Sequence, residues 1–320
     1  MDVEALPGHT FGAVVRGVCL ATVLQSSDPD KLTTLRQHCL DLFHQYGVLI
    51  FPKQRLTPQE ELDFAKWFPH HSDAPIEERA GPYSDTFRRW KLPALPEVQV
   101  QGWGKLQDHH GVSGVMTPSV MCHEWHTDGI HELEKPCVYT SMYAVKVPPT
   151  GGDTLFCSGY EVWESLTAEE REDLGGRTVT YSSQRNRMSY DGCLATQGEP
   201  NVSNGPDVEV TSSAVAEYRH PLFRQHPVTG GVALFTAPLF MKEVAGCEGE
   251  HGKGAALIAR LLRKGVQGAY RHKFSEGDLV IWDNRCILHS ATPMPSLPPP
   301  GLRVVHRIRM SSTEIPVAPV

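Results

Sequence analysis

Three residues in this chain have the types and spacing of a metal site. His126 and Asp128 are separated only by Thr127, and His289 follows far downstream. On an extended strand, residues i and i+2 point to one side, so His126 and Asp128 can present an imidazole and a carboxylate together. The third donor must come from elsewhere in the fold. His289 suits, because it follows the apolar run Leu279-Val280-Ile281-Trp282, a turn-like Asp283-Asn284 and the short run Cys286-Ile287-Leu288. That strand–turn–strand pattern places His289 at the start of a second strand. Two imidazoles and one carboxylate cover one face of an octahedral metal and leave the opposite three positions open, the arrangement used by non-haem Fe(II) oxygenases. Arg303 and Arg307 come next, four residues apart, and on a strand they share a face. A planar guanidinium binds a carboxylate through two parallel hydrogen bonds, so this pair suggests an anionic co-substrate.

In a chain with 16 His and 37 Asp plus Glu, an isolated His-x-Asp pair carries little weight. Its surroundings carry more. Trp125-His126-Thr127-Asp128-Gly129, Pro148-Pro149-Thr150-Gly151-Gly152-Asp153-Thr154-Leu155-Phe156, Trp282-Asp283-Asn284-Arg285, His289 and Arg303-Val304-Val305-His306-Arg307 occur in this order. Phe11-Gly12-Ala13-Val14-Val15-Arg16-Gly17 and His226-Pro227-Val228-Thr229-Gly230 are weaker matching stretches. As a set they resemble the taurine dioxygenase family of Fe(II)/2-oxoglutarate-dependent dioxygenases, from about Gly12 to about Ile308.

The resemblance implies a catalytic Fe(II) held by His126, Asp128 and His289, with 2-oxoglutarate and O2 as co-substrates and succinate and CO2 as products. It implies that Arg303 and the Thr154 hydroxyl hold the distal carboxylate of 2-oxoglutarate. Arg307 matches a second arginine, facing the iron-bound carboxylate or an anionic substrate. The gap from His289 to Arg303 is longer than is usual in the family and leaves open which arginine binds which group. Candidate substrate contacts are Arg307, Trp103 in Gln101-Gly102-Trp103-Gly104, and His70, which lies near the place of the family's anion-binding histidine. His123 and His131, which flank the motif, and the doublet His109-His110 read as loop or surface residues, and Phe240 and Tyr143 as core. With Asp128 present as a carboxylate ligand, halogenation is not expected.

These side chains need a frame to hold them. At 320 residues the chain can bury a substantial core and still be a single domain. Asp28-Pro29 reads as a cap with Pro at the first helical position, followed by Leu32, Leu35, Cys39, Leu40 and Phe43 at helical spacing. Residues 46–51 read as a buried strand. Thr57-Pro58-Gln59-Glu60 is a capping box opening a helix that runs to about Trp67. Strands are expected over 136–147, 279–289 and 303–310, and helices over 160–172 and 255–271. The segment 70–123 reads as irregular, with one strand at 97–101, and as a lid or specificity insertion over the metal motif. The pattern gives an α+β fold, and the resemblance sharpens it to a double-stranded β-helix (jelly roll) flanked by helices.

The net charge of −7 gives no basic patch for nucleic acid or an anionic membrane, and no stretch is apolar for long enough to span a bilayer. Eight cysteines without a Cys-x-x-Cys pair read as free thiols in a reducing compartment, and so as a cytoplasmic protein. The expected partner is a small molecule, and a homo-oligomer stays open. Two other functions compete with an oxidase of small anions. A nucleic-acid demethylase of the same superfamily would need a basic groove, and a catalytically silent jelly-roll binding protein would have no need of intact ligands and arginines.

Overall fold

A computed structural model describes residues 1–68, 90–117, 125–132, 134–182, 216–292, 301–312 and 314–319. The strands are β1 Asp2–Ala5, β2 Ala13–Arg16, β3 Val48–Phe51, β4 Lys91–Leu92, β5 Leu95–His109, β6 Val112–Met116, β7 Cys137–Lys146, β8 Thr154–Ser158 and β9 Thr178–Ser182. They continue as β10 Glu217–Pro221, β11 Phe223–Gln225, β12 Val232–Leu234, β13 Met241–Val244, β14 Tyr270–His272, β15 Leu279–Asp283, β16 Ile287–Ala291 and β17 Arg303–Ser311. The helices are α1 Leu20–Leu24, α2 Pro29–Tyr46, α3 Pro58–Ala65, α4 Gly159–Glu164, α5 Ala168–Gly175 and α6 His251–Val266.

A nine-stranded sheet runs β1-β2-β3-β15-β7-β17-β5-β4, with β6 hairpinned onto β5. A three-stranded sheet, β14-β8-β16, faces it. The apolar layer between the two includes Phe156 and Ile287 from the small sheet and Met142, Val280, Trp282 and Val305 from the large one. Behind the large sheet, Val304, Ile308 and Met310 of β17 pack with Phe43 of α2 and Phe64 of α3. Alternation along β17 therefore gives it two faces: Val304, His306, Ile308 and Met310 turn toward the helices, and Arg303, Val305, Arg307 and Arg309 turn toward the small sheet.

Local chemistry explains the helix ends. Asp28 accepts from the backbone N–H groups of Asp30 and Lys31, and α2 stops at Gly47, which adopts φ 69°. At α3, Thr57 and Glu60 form a reciprocal capping box. A second such box, Thr167 with Glu170, splits the single helix expected over 160–172 into α4 and α5. The helix expected over 255–271 begins and ends earlier, because Tyr270 to His272 pairs with β8.

The largest departure concerns 70–123. Residues 90–116 are not irregular: β5 is a 15-residue strand paired with β17 along Gln99–Trp103, and it turns back into β6. Gly102 permits this pairing, since its φ is 148° and a Cβ there would lie 1.8 Å from the Arg303 carbonyl oxygen. The rest of that segment, including His70 and His123, lies outside the described residues. Among the described residues, six cysteines are free thiols and no helix is long and apolar enough to cross a membrane.

Candidate metal centre

The His126–Thr127–Asp128 stretch is held extended from both sides. His126 and His289 form an isolated antiparallel bridge, each backbone N–H donating to the other's carbonyl at 3.0 Å. The Thr127 N–H donates to the Thr236 carbonyl at 2.9 Å. Two histidines opposite one another across a bridge put their side chains on the same face. Their ring centroids are 4.2 Å apart. His289 is the third residue of β16 rather than the first, because the turn after β15 takes Asn284, Arg285 and Cys286 before pairing resumes.

Asp128 closes the triad at the start of a turn. Its Oδ1 lies 3.8 Å from His126 Nε2 and its Oδ2 lies 3.7 Å from His289 Nε2. All three donor atoms lie within 4.8 Å of one another, and the two nitrogen–carboxylate separations are within an ångström of the roughly 3.0 Å edge of an octahedron with bonds of roughly 2.1 Å. Both nitrogens that meet the carboxylate are Nε2, one facing each of its oxygens. The group therefore fits a divalent cation that takes nitrogen and oxygen donors.

A relay from the large sheet aims the carboxylate. Thr140 of β7 donates to Asp128 Oδ2 at 2.7 Å, Asn284 Nδ2 donates to Thr140 Oγ1 at 2.9 Å, and Trp282 Nε1 donates to Asn284 Oδ1 at 3.1 Å. Hydrogen bonds behind a ligand fix its orientation and tune its basicity. Burial alone would raise the Asp128 carboxyl, but Arg307 beside it and then the two imidazoles hold it well below the usual carboxylate range. His289 is pushed down to about 3 by burial and by its neighbour His126, so it is an unprotonated donor at neutral pH.

The arginine row of β17 supplies the cations. Arg307 Nη1 lies 3.6 Å from Asp128 Oδ1, and its Nε donates to Gln99 Oε1 of β5 at 3.2 Å. Arg303 is 9% exposed; its Nη2 donates to the Gly152 carbonyl at 3.2 Å, and its guanidinium lies 5.4 Å from the Trp103 ring centroid. Gly152 makes room for it, since a Cβ there would stand 2.6 Å from Arg303 Nε. Two residues later, Thr154 is buried and lies on the same face of β8 as Phe156, toward the large sheet. Arg303 thus stands against Gly152, two residues before Thr154, and Arg307 stands beside the triad. Trp103 is buried at 5% exposure against Arg303.

Several residues at this site were not singled out by the sequence reading. Thr140 was a polar residue inside an apolar strand run, and Arg309 shares the alternation of Arg303 and Arg307; both were visible signals. His131, expected at the surface, is mostly buried, with 15% of its side chain exposed, and Phe240 packs flat against it.

Residues 2–309 match the family described as "Taurine catabolism dioxygenase TauD, TfdA family". The alpha-ketoglutarate-dependent dioxygenase oryG of Aspergillus oryzae is 30% identical over 200 residues, covering 62% of this chain and 57% of that protein. The alpha-ketoglutarate-dependent 2,4-dichlorophenoxyacetate dioxygenase of Cupriavidus pinatubonensis is 28% identical over 293 residues, covering 90% of this chain and 92% of that enzyme. The chain spans 63% of a Schizosaccharomyces pombe relative that is 28% identical to it, so these relatives differ in how much of their length it accounts for. The crystal structure of a taurine dioxygenase from Burkholderia xenovorans covers 99% of this chain, with 91% of its own chain aligned, a TM-score of 0.69 and 23% identity; that likeness shows the fold.

Proposed function

We infer that this chain, which belongs to the taurine catabolism dioxygenase family, is an Fe(II)/2-oxoglutarate-dependent dioxygenase that oxidises a small anionic organic molecule, most simply by hydroxylation. The observation that carries the reading is the donor triad His126, Asp128 and His289 with two arginines of one strand face beside it. Bound iron and 2-oxoglutarate supply the oxidising chemistry, with release of succinate and CO2. The chain's own residues do the rest. His126, Asp128 and His289 would hold the metal, and the Thr140–Asn284–Trp282 relay aims the carboxylate. Arg303 and Thr154 bind the distal carboxylate of 2-oxoglutarate. This division is supported by the contact of Arg303 with Gly152, two residues before Thr154, whereas Arg307 lies against Asp128 and meets the anionic group nearest the metal.

Relatives named for the oxidation of phenoxy acids and sulfonates support an anionic substrate. The fold is the double-stranded β-helix (jelly roll), supported by a mostly antiparallel nine-stranded sheet facing an antiparallel three-stranded one, with the site between them. The chain works as one domain, 1–320, in which 70–123 is the lid and specificity insertion. Its described part supports this, since β5 sets Gln99 on Arg307 and Trp103 on Arg303. The protein acts in the cytoplasm, on a small molecule and not on nucleic acid or membrane.

Loading purified protein with Fe(II) under argon and assaying succinate formation tests the reading. One Fe(II) per chain is expected. His126→Ala and His289→Ala should each lose iron and turnover while keeping the wild-type circular dichroism spectrum. Full iron occupancy and activity in both variants would sink it.

A further inference from the structure

Beyond Asp128 the chain turns through two more polar side chains, His131 and Glu132. Glu132 Oε1 lies 3.1 Å from Arg309 Nη1, so the third arginine of the β17 row already has a carboxylate. Burial would raise the Glu132 carboxyl, but Arg309 holds it down to about 2, and the pair is ionised at neutral pH. Of the three arginines on this face of β17, Arg309 is thus the one whose charge Glu132 balances.

His131 stands against this pair. Its Nε2 is 3.5 Å from Glu132 Oε1, and its ring lies parallel to Phe240 with centroids 3.3 Å apart. Burial lowers its pKa to about 4, so the ring is neutral and carries a single N–H. The Glu132 carboxylate beside Nε2 favours the proton there, since a negative acceptor stabilises the tautomer that points its N–H toward it. Nδ1 is then a bare lone pair. It is buried and has no hydrogen-bond partner among the described residues. A buried acceptor left unmatched is uncommon and asks for a reason. The ring sits three residues from Asp128, within electrostatic reach of both His126 and Asp128.

We propose that His131 determines substrate specificity, and that the substrate is an organic anion carrying an O–H or N–H group that donates to His131 Nδ1. The proposal rests on the dioxygenase reading and narrows it. Arg307 takes the charge, Glu132 fixes the imidazole tautomer while cancelling Arg309, and Nδ1 selects among anions of similar size. An apolar side chain at this position would accept anions with or without the donor.

Two matched probe pairs test it: 2-hydroxyethanesulfonate against ethanesulfonate, and glycolate against acetate. Calorimetry on protein loaded with Fe(II) and 2-oxoglutarate under argon should show, in at least one pair, the donor-bearing member binding tenfold or more tighter. His131→Asn keeps an acceptor near the Nδ1 position and should retain most of that preference. His131→Gln and His131→Phe should erase it, leaving 2-oxoglutarate affinity at the wild-type value. Equal binding within both pairs, no binding of any probe, or a preference that survives His131→Phe would overturn the proposal. Failure of the wild type to bind Fe(II) and 2-oxoglutarate at all would instead overturn the dioxygenase reading, and this proposal with it.

Discussion

Two buried clusters in this molecule have the residue types of a metal site, and they differ in what their valences already hold. His126, Asp128 and His289 form one; His226, Asp283 and Cys286 form the other, also within 4.8 Å of one another. In the second cluster every strong donor and acceptor is engaged. His226 Nδ1 accepts the backbone N–H groups of Val228 and Thr229, and its Nε2 meets Asp283 Oδ2 at 3.1 Å. Asp283 also receives Arg285 through two side-chain hydrogen bonds of 2.8 and 2.6 Å and through its backbone N–H. Cys286 is a thiol whose ionisation burial opposes. In the first cluster the imidazole Nε2 atoms face a carboxylate at nearly 4 Å with no hydrogen bond between them. One cluster is closed by a resident cation, Arg285, in direct hydrogen bonds; in the other the nearest guanidinium, Arg307, stands off at 3.6 Å and the donor spacing suits a metal ion. Residue type and burial do not separate them, whereas the hydrogen-bond inventory does.

The largest effect that would break this contrast comes from the closed cluster. Asp283→Asn leaves Arg285 buried without its counter-charge, and removing one partner of a buried ion pair costs about 3–5 kcal/mol. Urea unfolding should show that loss while the folded fraction still binds Fe(II) normally; lost iron affinity at unchanged stability would show that the roles were assigned the wrong way round. On the open side, Arg303→Ala removes a charge-assisted contact worth on the order of 2–4 kcal/mol. The 2-oxoglutarate requirement should then rise roughly thirty-fold or more, with iron affinity preserved. An unchanged requirement would move that role to Arg307. The smallest effect belongs to the relay. Thr140→Val deletes the hydroxyl that donates to Asp128 and should weaken Fe(II) binding roughly ten-fold, the lower end for a residue supporting a ligand. Unaltered iron affinity by competition with a chelator would reduce Thr140 to a packing residue.

The ligand triad was legible because its chemistry is local in the sequence. A two-residue spacing dictates a shared face on any extended backbone, and one distant histidine in a matched context completes the set. The cap chemistry at Asp28-Pro29 and Thr57–Glu60 was legible for the same reason: each satisfies orphan N–H groups within a single turn. The hairpin over 95–116 was legible only as one strand at 97–101. Its glycines and prolines read as loop, and it became strand because β17 offered an unpaired edge and Gly102 let the backbones meet.

By itself the sequence pointed to the donor triad His126, Asp128 and His289, to Arg303 and Arg307 on one strand face and to the α+β class, because alternation and spacing operate within a few residues. Tertiary structure alone decided the rest. It brought Thr140 and Asn284 behind Asp128 from positions 12 and 156 residues away. It also joined Glu132 to Arg309 across 177 residues, cancelling one of three arginines that look alike along β17. On the opposite face of that strand it buried His306 between Glu61 and His109, a pairing with no trace in local pattern. Each of these contacts depends on which strands are neighbours in the sheet. Strand order follows from the packing of whole apolar faces, and local spacing carries no information about it.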